Sequence, residues 1–293
     1  MKRAEESMVG RPRRSCLYMP GTNNRAHDKA RDLACDVVIF DLEDSVAPEA
    51  KTAARERIAA CLEAGGYGTR ELVVRINDPA TDRGHNDLVM AARAGADAVL
   101  IPKVTGAEEI RAAGQLLDEF DVRARLWAMM ETARGVLAAP QIAAAHPRLA
   151  VFAMGLEDFA KELHADNAAP RTAMLYALER TVLVARAHGL GVLDGVYPDF
   201  NDDAGFAAAC TQGAALGFDG KQLIHPRQIA AANAAFAPSP EAVADARRVI
   251  AAFEDAQARG AGVAVLDGRM VEALHADEAR ALVAFAEEIA ARN

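Results

Sequence analysis

The sequence predicts an α/β chain folded as a (β/α)8 TIM barrel with a C-terminal helical arm. Short apolar runs of buried-strand length alternate with alanine-rich amphipathic stretches from the N-terminus to about Leu223. There are eight such runs, the number a closed barrel needs. The first turn, Pro20-Gly21-Thr22, also lacks the glycine-rich phosphate fingerprint with which a doubly wound open sheet usually opens. A chain of 293 residues suits one barrel with an appendage, since barrels of this class commonly run to about 250 residues.

The expected strands are 15–19, 37–42, 72–76, 98–101, 126–130, 150–154, 190–193 and a short run at 221–223. Each is too short for a helix and is followed by a stretch long enough to cross back over the sheet. After the eighth run the pattern changes. Pro238-Ser239-Pro240 opens a long helix to about Ala258, because proline is tolerated in a first helical turn, and Gly260 ends it. The run 263–266, the turn pair Asp267-Gly268 and a helix at about 277–290 complete an arm whose apolar residues need a surface to cover. The expected division is 1–235 for the catalytic barrel and 236–293 for the helix and arm.

Composition narrows the function. With 52% AVILMFWYC and 26% charged residues, the chain can bury a large core. A net charge of -9 argues against nucleic acid as a partner, so an anionic ligand would need a local basic patch. The residues before Ser15 lack the apolar stretch of a secretory signal, and no segment approaches the roughly 20 apolar residues of a membrane span. A cytoplasmic protein with no membrane partner is expected. Cys16, Cys35, Cys61 and Cys210 show neither zinc-ligand nor disulfide-framework spacing and read as buried thiols.

In a barrel the active site is assembled at the C-terminal ends of the strands. Those ends carry Asp41, Glu43 and Asp44, then Arg75 and Asn77, Lys103, Glu131, Glu157 and Asp158, and His225. Several carboxylates facing one mouth repel each other unless a cation sits among them, and all-oxygen ligation suits a hard ion such as Mg²⁺. Plainer readings stand beside this one. Asp41, Glu43 and Asp44 could cap the next helix or pair with Lys51 and Arg55, and Arg75 could simply neutralise a carboxylate. Lys103 and His225 have solvent-facing or packing explanations.

Seven ordered motifs carry a resemblance that spans almost the whole chain: 14–21 (RSCLYMPG), 40–46 (FDLEDSV), 74–77 (VRIN), 101–104 (IPKV), 131–135 (ETARG), 155–158 (GLED) and 217–226 (GFDGKQLIHP). The sequence resembles the citrate lyase beta-subunit-like proteins of the HpcH/HpaI aldolase superfamily, which include malyl-CoA and citramalyl-CoA lyases. The resemblance implies Mg²⁺ held by Glu131 and Asp158, with Arg75 gripping the substrate's carboxylate and its oxo or hydroxyl oxygen. It implies a 3-hydroxyacyl-CoA thioester cleaved into acetyl-CoA and a 2-oxo acid, or made by the reverse condensation. It also implies a homo-oligomer, commonly a trimer, whose arm packs on a neighbouring subunit. Glu43 and Asp44 are candidates to order metal-bound water or move a proton, and Arg14, Arg25 and Lys29 to receive the CoA phosphates.

One position departs from the pattern. Where many CoA-dependent relatives present an aspartate in the arm as acid/base, Glu272 follows Gly268-Arg269-Met270-Val271, lengthening the reach by one methylene. The alternatives are a malyl-CoA thioesterase or malate synthase-like enzyme, a citrate lyase beta subunit acting on citryl-acyl-carrier protein, and a non-catalytic scaffold.

Overall fold

The computed structural model describes residues 11–120, 122–167 and 170–292. Eight parallel strands close in sequence order: β1 Ser15–Pro20, β2 Val37–Asp41, β3 Glu71–Arg75, β4 Ala98–Ile101, β5 Arg125–Met130, β6 Leu149–Met154, β7 Gly191–Asp194 and β8 Gly220–Leu223. The ring closes where β8 pairs with β1, through Ser15↔Lys221, Cys16↔Gln222 and Leu17↔Leu223. This is the expected (β/α)8 barrel. The strand bounds differ from expectation by about one residue. At β7 the reason is electrostatic: Asp194 extends the strand because Lys221, its register partner on β8, supplies a counter-charge 2.7 Å away.

Both faces of each strand are buried, which explains why the runs read as continuously apolar. Residues of one parity, such as Val38, Phe40, Val74, Ile101 and Phe152, form one core with the surrounding helices. Residues of the other parity, including Ile39, Val73, Leu100 and Trp127, are equally buried within the barrel. Several helices are started by short polar side chains: Thr81 accepts from Gly84 N at 3.1 Å and Asp202 from Gly205 N at 2.8 Å.

At the end of the barrel where the strands begin, two buried arginines are paired. Arg13 lies 2.6 Å from Glu71, and Arg14 donates through Nε and Nη2 to both oxygens of Asp36 at 2.8 Å. This corrects the expectation for Arg14 as a CoA phosphate contact. It precedes β1, so it sits at the opposite end from the strand C-termini, and it is only 4% exposed. Its charge is spent on Asp36.

Residues Arg13–Phe236 form one compact unit, and the chain from Ala237 belongs to a second. Of the span expected as barrel, 1–10 lie outside the described residues. In the second unit a helix runs Pro240–Ala258, capped by Ser239 Oγ accepting from Ala242 N at 3.1 Å, as the Pro-Ser-Pro signal suggests. Strands β9 Ala264–Leu266 and β10 Arg269–Val271 form an antiparallel hairpin. Its turn residues Asp267 and Gly268 both have positive φ, 50° and 75°, the conformation a tight hairpin of right-handed twist demands.

The final helix, Ala273–Arg292, begins earlier than the expected 277, directly after the hairpin, where the Glu272 carbonyl accepts from the backbone of His275 and Ala276. Val271 and Ala264 are buried against Phe253, Ala256 and Ala276 in this unit's own small core. The apolar surface expected of the arm is therefore partly used internally. Val263, Val265, Met270 and Leu274 remain exposed. No helix among the described residues is long and apolar enough to cross a membrane.

Because Arg14 leaves a buried carboxylate unpaired when removed, Arg14→Ala should cost about 3–5 kcal/mol of stability. Urea unfolding checks this, and a loss below about 1 kcal/mol would mean Asp36 finds water instead.

Candidate functional site

The strands' C-terminal ends surround a cavity of about 470 Å³ whose lining includes Tyr18, Asp41, Arg75, Glu131, Asp158 and Gln222. Its fixed point is Arg75, the last residue of β3. Nε and Nη2 of Arg75 each donate at 2.7 Å to the two oxygens of Asp41, the last residue of β2. Nη1 is 3.1 Å from Glu43 Oε2 and 3.6 Å from Asp44 Oδ2. The guanidinium lies over the Tyr18 ring, 4.9 Å from its centroid. Tyr18 is held in turn, its hydroxyl donating to Gln222 Oε1 at 2.8 Å while Gln222 Nε2 donates to the carbonyls of Met154 and Asp194.

Asp41 also shapes the loop that follows it, accepting from Glu43 N at 2.9 Å and Ser45 N at 3.1 Å. Burial works to raise its pKa, but the Arg75 fork outweighs burial and holds it below the usual carboxylate range. The reading of Arg75 as a counter-charge is thus realised at Asp41. The proposed pairing of these carboxylates with Lys51 and Arg55 is not. Lys51 Nζ donates to the carbonyls of Leu42 and Glu43 and to Asn77 Oδ1, and Arg55 pairs with Asp87 at 2.7 Å.

Glu131 follows β5 directly and is 4% exposed. One oxygen accepts from Lys103 N at 2.6 Å. Its carboxylate lies against Gly155, where a Cβ would stand 2.4 Å from Glu131 Oε2, so only glycine lets β6 end this close. Burial, reinforced by the fields of Glu43 and Asp158 and opposed by the Lys103 N–H, pushes the Glu131 pKa up to about 7. Asp158 comes from the first turn of the helix Leu156–Leu163, after β6, with its side chain 36% exposed.

Lys103 joins these groups. Its Nζ is 2.5 Å from Glu43 Oε1, 3.5 Å from Asp44 Oδ1 and 3.4 Å from Asp158 Oδ2. Burial opposes its charge, yet the hydrogen bond and field of Glu43 prevail and raise its pKa. Glu43 shifts up as well, through burial first and its neighbour Asp44 after that. Arg25 and Lys29 lie exposed on the helix Asn24–Ala30, which follows β1 and so starts at the mouth end of the barrel. His225 takes the packing reading: its Nδ1 accepts from Arg227 N and its ring stacks on Phe200 at 4.9 Å.

The donor chemistry fits a hard divalent ion. Glu131 and Asp158 offer oxygens from successive strand ends. No three His, Cys, Asp or Glu side chains among the described residues form a ready metal cage. Two carboxylates with water or substrate oxygens making up the rest is how Mg²⁺ is commonly held.

Sequence reasoning missed two features. It does not distinguish Lys103 from a solvated lysine. The second is the buried trio in which Asp194 accepts from Arg171 and Lys221, each at 2.7 Å. A lysine inside the buried strand GKQL is the signal that could have found it.

A barrel whose strand ends gather carboxylates around one arginine has the layout of a barrel enzyme's active site. Residues 14–226 match the HpcH/HpaI aldolase/citrate lyase family, and the chain belongs to it. It is 51% identical over 280 residues to a (3S)-malyl-CoA thioesterase of Cereibacter sphaeroides (strain KD131 / KCTC 12085), covering 96% of each chain. It is 36% identical to an L-malyl-CoA/beta-methylmalyl-CoA lyase of Cereibacter sphaeroides (strain ATCC 17025 / ATH 2.4.3), again over 96% of both. Among solved structures, CitE of Mycobacterium tuberculosis in complex with magnesium, acetoacetate and coenzyme A superposes with a TM-score of 0.76 at 30% identity, covering 96% of this chain and 99% of that one.

A lysine at position 75 cannot span both oxygens of buried Asp41. Arg75→Lys should therefore unfold about 1–3 kcal/mol more easily in urea. Unchanged stability would show that the fork is dispensable to the fold.

Proposed function

We propose that the protein is a Mg²⁺-dependent enzyme acting on a malyl-type CoA thioester, and that its principal outcome is hydrolysis to the free hydroxy acid and CoA. The observation carrying this is the Glu131, Asp158 and Arg75 constellation at a pocket large enough for a small dicarboxylic acyl group. The half-identical thioesterase relative supports hydrolysis as the outcome. Carbon–carbon cleavage to acetyl-CoA and a 2-oxo acid, or its Claisen reverse, is the second reading, supported by the lyase relative of equal coverage. Both readings put the same substrate in the same site.

Glu131 and Asp158 would hold the metal, which when bound supplies Lewis acidity toward the substrate's carboxylate and hydroxyl oxygens. Arg75, fixed by Asp41 and Tyr18 with Nη1 3.1 Å from Glu43 Oε2, would orient the substrate carboxylate. In hydrolysis, water adds to the thioester carbonyl, the C–S bond breaks, and the thiolate takes the proton the water lost. Glu43 and Asp44, beside Arg75 and Lys103, would accept that proton. In cleavage, the hydroxyl proton leaves to a base, the carbon–carbon bond breaks, and the thioester enolate is protonated on carbon. Arg25 and Lys29 would meet the CoA phosphates near the mouth. The barrel would work as a homo-oligomer, a homotrimer by family resemblance, with the Ala237–Asn293 unit covering a neighbour. A cytoplasmic setting suits an enzyme of CoA thioesters.

Incubation with malyl-CoA and Mg²⁺ separates the outcomes. Malate with free CoA is expected, and glyoxylate with acetyl-CoA would instead establish the lyase. Glu131→Gln and Asp158→Asn should each lower kcat by at least about 10²-fold, and excess EDTA should do the same to the parent. Full turnover in EDTA would end the metal-dependent reading.

Glu272 tests the assembly. Its backbone N–H bonds His275 Nδ1 at 3.0 Å, placing the carboxyl at a helix start where a negative charge is also mildly favourable without any catalytic role. If the arm serves a neighbour's mouth, Glu272→Gln chains unable to cleave the carbon–carbon bond, mixed with inactive Glu131→Gln chains, should recover part of the cleavage activity. Parental carbon–carbon cleavage by Glu272→Gln would assign Glu272 to the helix start alone.

A further inference from the structure

We propose that Lys103 is the internal cation of the metal-free site, a positioning residue whose ammonium must release Asp158 when a divalent ion binds. The inference rests on the reading of Glu131 and Asp158 as metal ligands and adds an exchange to it.

Three facts of geometry carry it. The first is that Lys103 touches both proposed ligands, and does so differently. Its backbone N–H fixes Glu131 at 2.6 Å, while its Nζ reaches Asp158 at 3.4 Å. The second is the backbone. Lys103 has φ of 50°, a left-handed conformation uncommon outside glycine and asparagine, and this turn sends the N–H to Glu131 while the side chain reaches across the mouth. The third is the contrast with Arg75. The arginine side chain is 12% exposed and pinned through two bonds to Asp41, whereas the lysine side chain is 49% exposed on a flexible stem. Of these two cations, only the lysine is free to move.

Electrostatics then sets the direction. Asp41, Glu43, Asp44, Glu131 and Asp158 crowd one opening, and Arg75 alone does not offset them. Without metal, an ammonium spanning Glu43, Asp44 and Asp158 reduces their repulsion and keeps Asp158 near Glu131. With a metal held by Asp158, the same ammonium would face a divalent charge and compete for that carboxylate. Glu43 Oε1, at 2.5 Å, is the anchor to which Lys103 can stay bonded after it lets go. Lys103 thus weakens metal binding while preserving the site that binds it.

Mn²⁺ alone serves as the probe, with affinity measured on the substrate-free protein by calorimetry or by the resonance of free Mn²⁺. Lys103→Met removes the charge and keeps the bulk. Lys103→Gly removes the charge and also relieves the left-handed φ, so one neutral variant folds without backbone strain. Both should bind Mn²⁺ about tenfold more tightly than the parent, the order expected for removing one unit charge facing a divalent ion in a watery mouth. Lys103→Arg, which keeps the charge, should stay within about threefold of the parent. In EDTA the two neutral variants should melt at a lower temperature than Lys103→Arg, and Mn²⁺ should abolish that gap. Equal or weaker Mn²⁺ binding by both neutral variants overturns the exchange while leaving the metal reading intact. A parent that binds no Mn²⁺, with Glu131→Gln and Asp158→Asn indistinguishable from it, overturns the metal reading and the exchange together.

Discussion

The site depends on the Asp41–Arg75 fork. Two adjacent strands end in opposite charges, and the two bonds between them tie the end of β2 to the end of β3. From that tie the rest is placed. Asp41 uses the same oxygens to fold the loop bearing Glu43 and Asp44, and Arg75, flattened on Tyr18, presents Nη1 to that loop. A mouth with this many carboxylates would otherwise push its own loops apart. The permanent guanidinium charge, together with the Lys103 ammonium, leaves a negative excess suited to a divalent ion without letting the repulsion unfold the rim.

The two ends of the barrel spend arginines differently. At the strand N-termini, Arg13 pairs with Glu71 and Arg14 with Asp36 in nearly dry surroundings, so their charges are cancelled locally. At the C-termini, one arginine is shared among Asp41, Glu43 and Asp44. Local cancellation makes a structural seal. Incomplete cancellation makes a site. That difference lies in where the chain brings acids together in space, and it is why three arginines of similar burial have unrelated roles.

The same distinction explains what the sequence disclosed. Strand positions were legible within about a residue because the barrel strands are buried on both faces and most of the runs are apolar. The candidate residues at strand ends were legible as neighbours because the barrel puts all eight ends on one face. Arg14 was misread because a motif names residues without saying on which side of the strand they fall. Asp194 and Lys221 escaped notice because their mutual neutralisation depends on the β7–β8 register, which the sequence does not show. The final helix was started late because its beginning is set by the hairpin and by His275, not by the acidic residue at 277. Lys103 needed coordinates: no sequence signal marks a lysine whose backbone turns left-handed.

Hydrolysis and carbon–carbon cleavage differ less in this site than their names suggest. Under the proposed function both would begin with an α-hydroxy acid end held by Arg75 and oxygen ligands, and both would need a carboxylate to take one proton. They part at the thioester end. Cleavage needs an acid close to the methylene carbon to protonate the departing enolate, whereas hydrolysis needs water at the carbonyl carbon beside it. If Glu272 serves a neighbouring mouth, the first task falls to the arm, and the second can be met from the mouth itself, where Glu43 and Asp44 already stand. A glutamate at 272 carries its carboxyl one methylene farther than an aspartate would. Because catalytic placement is sensitive at the ångström level, that extra reach weighs against carbon protonation and not against attack by water. The balance between two reactions of one bound substrate would then be set by a side-chain length in the C-terminal unit, while the barrel mouth stays the same for both.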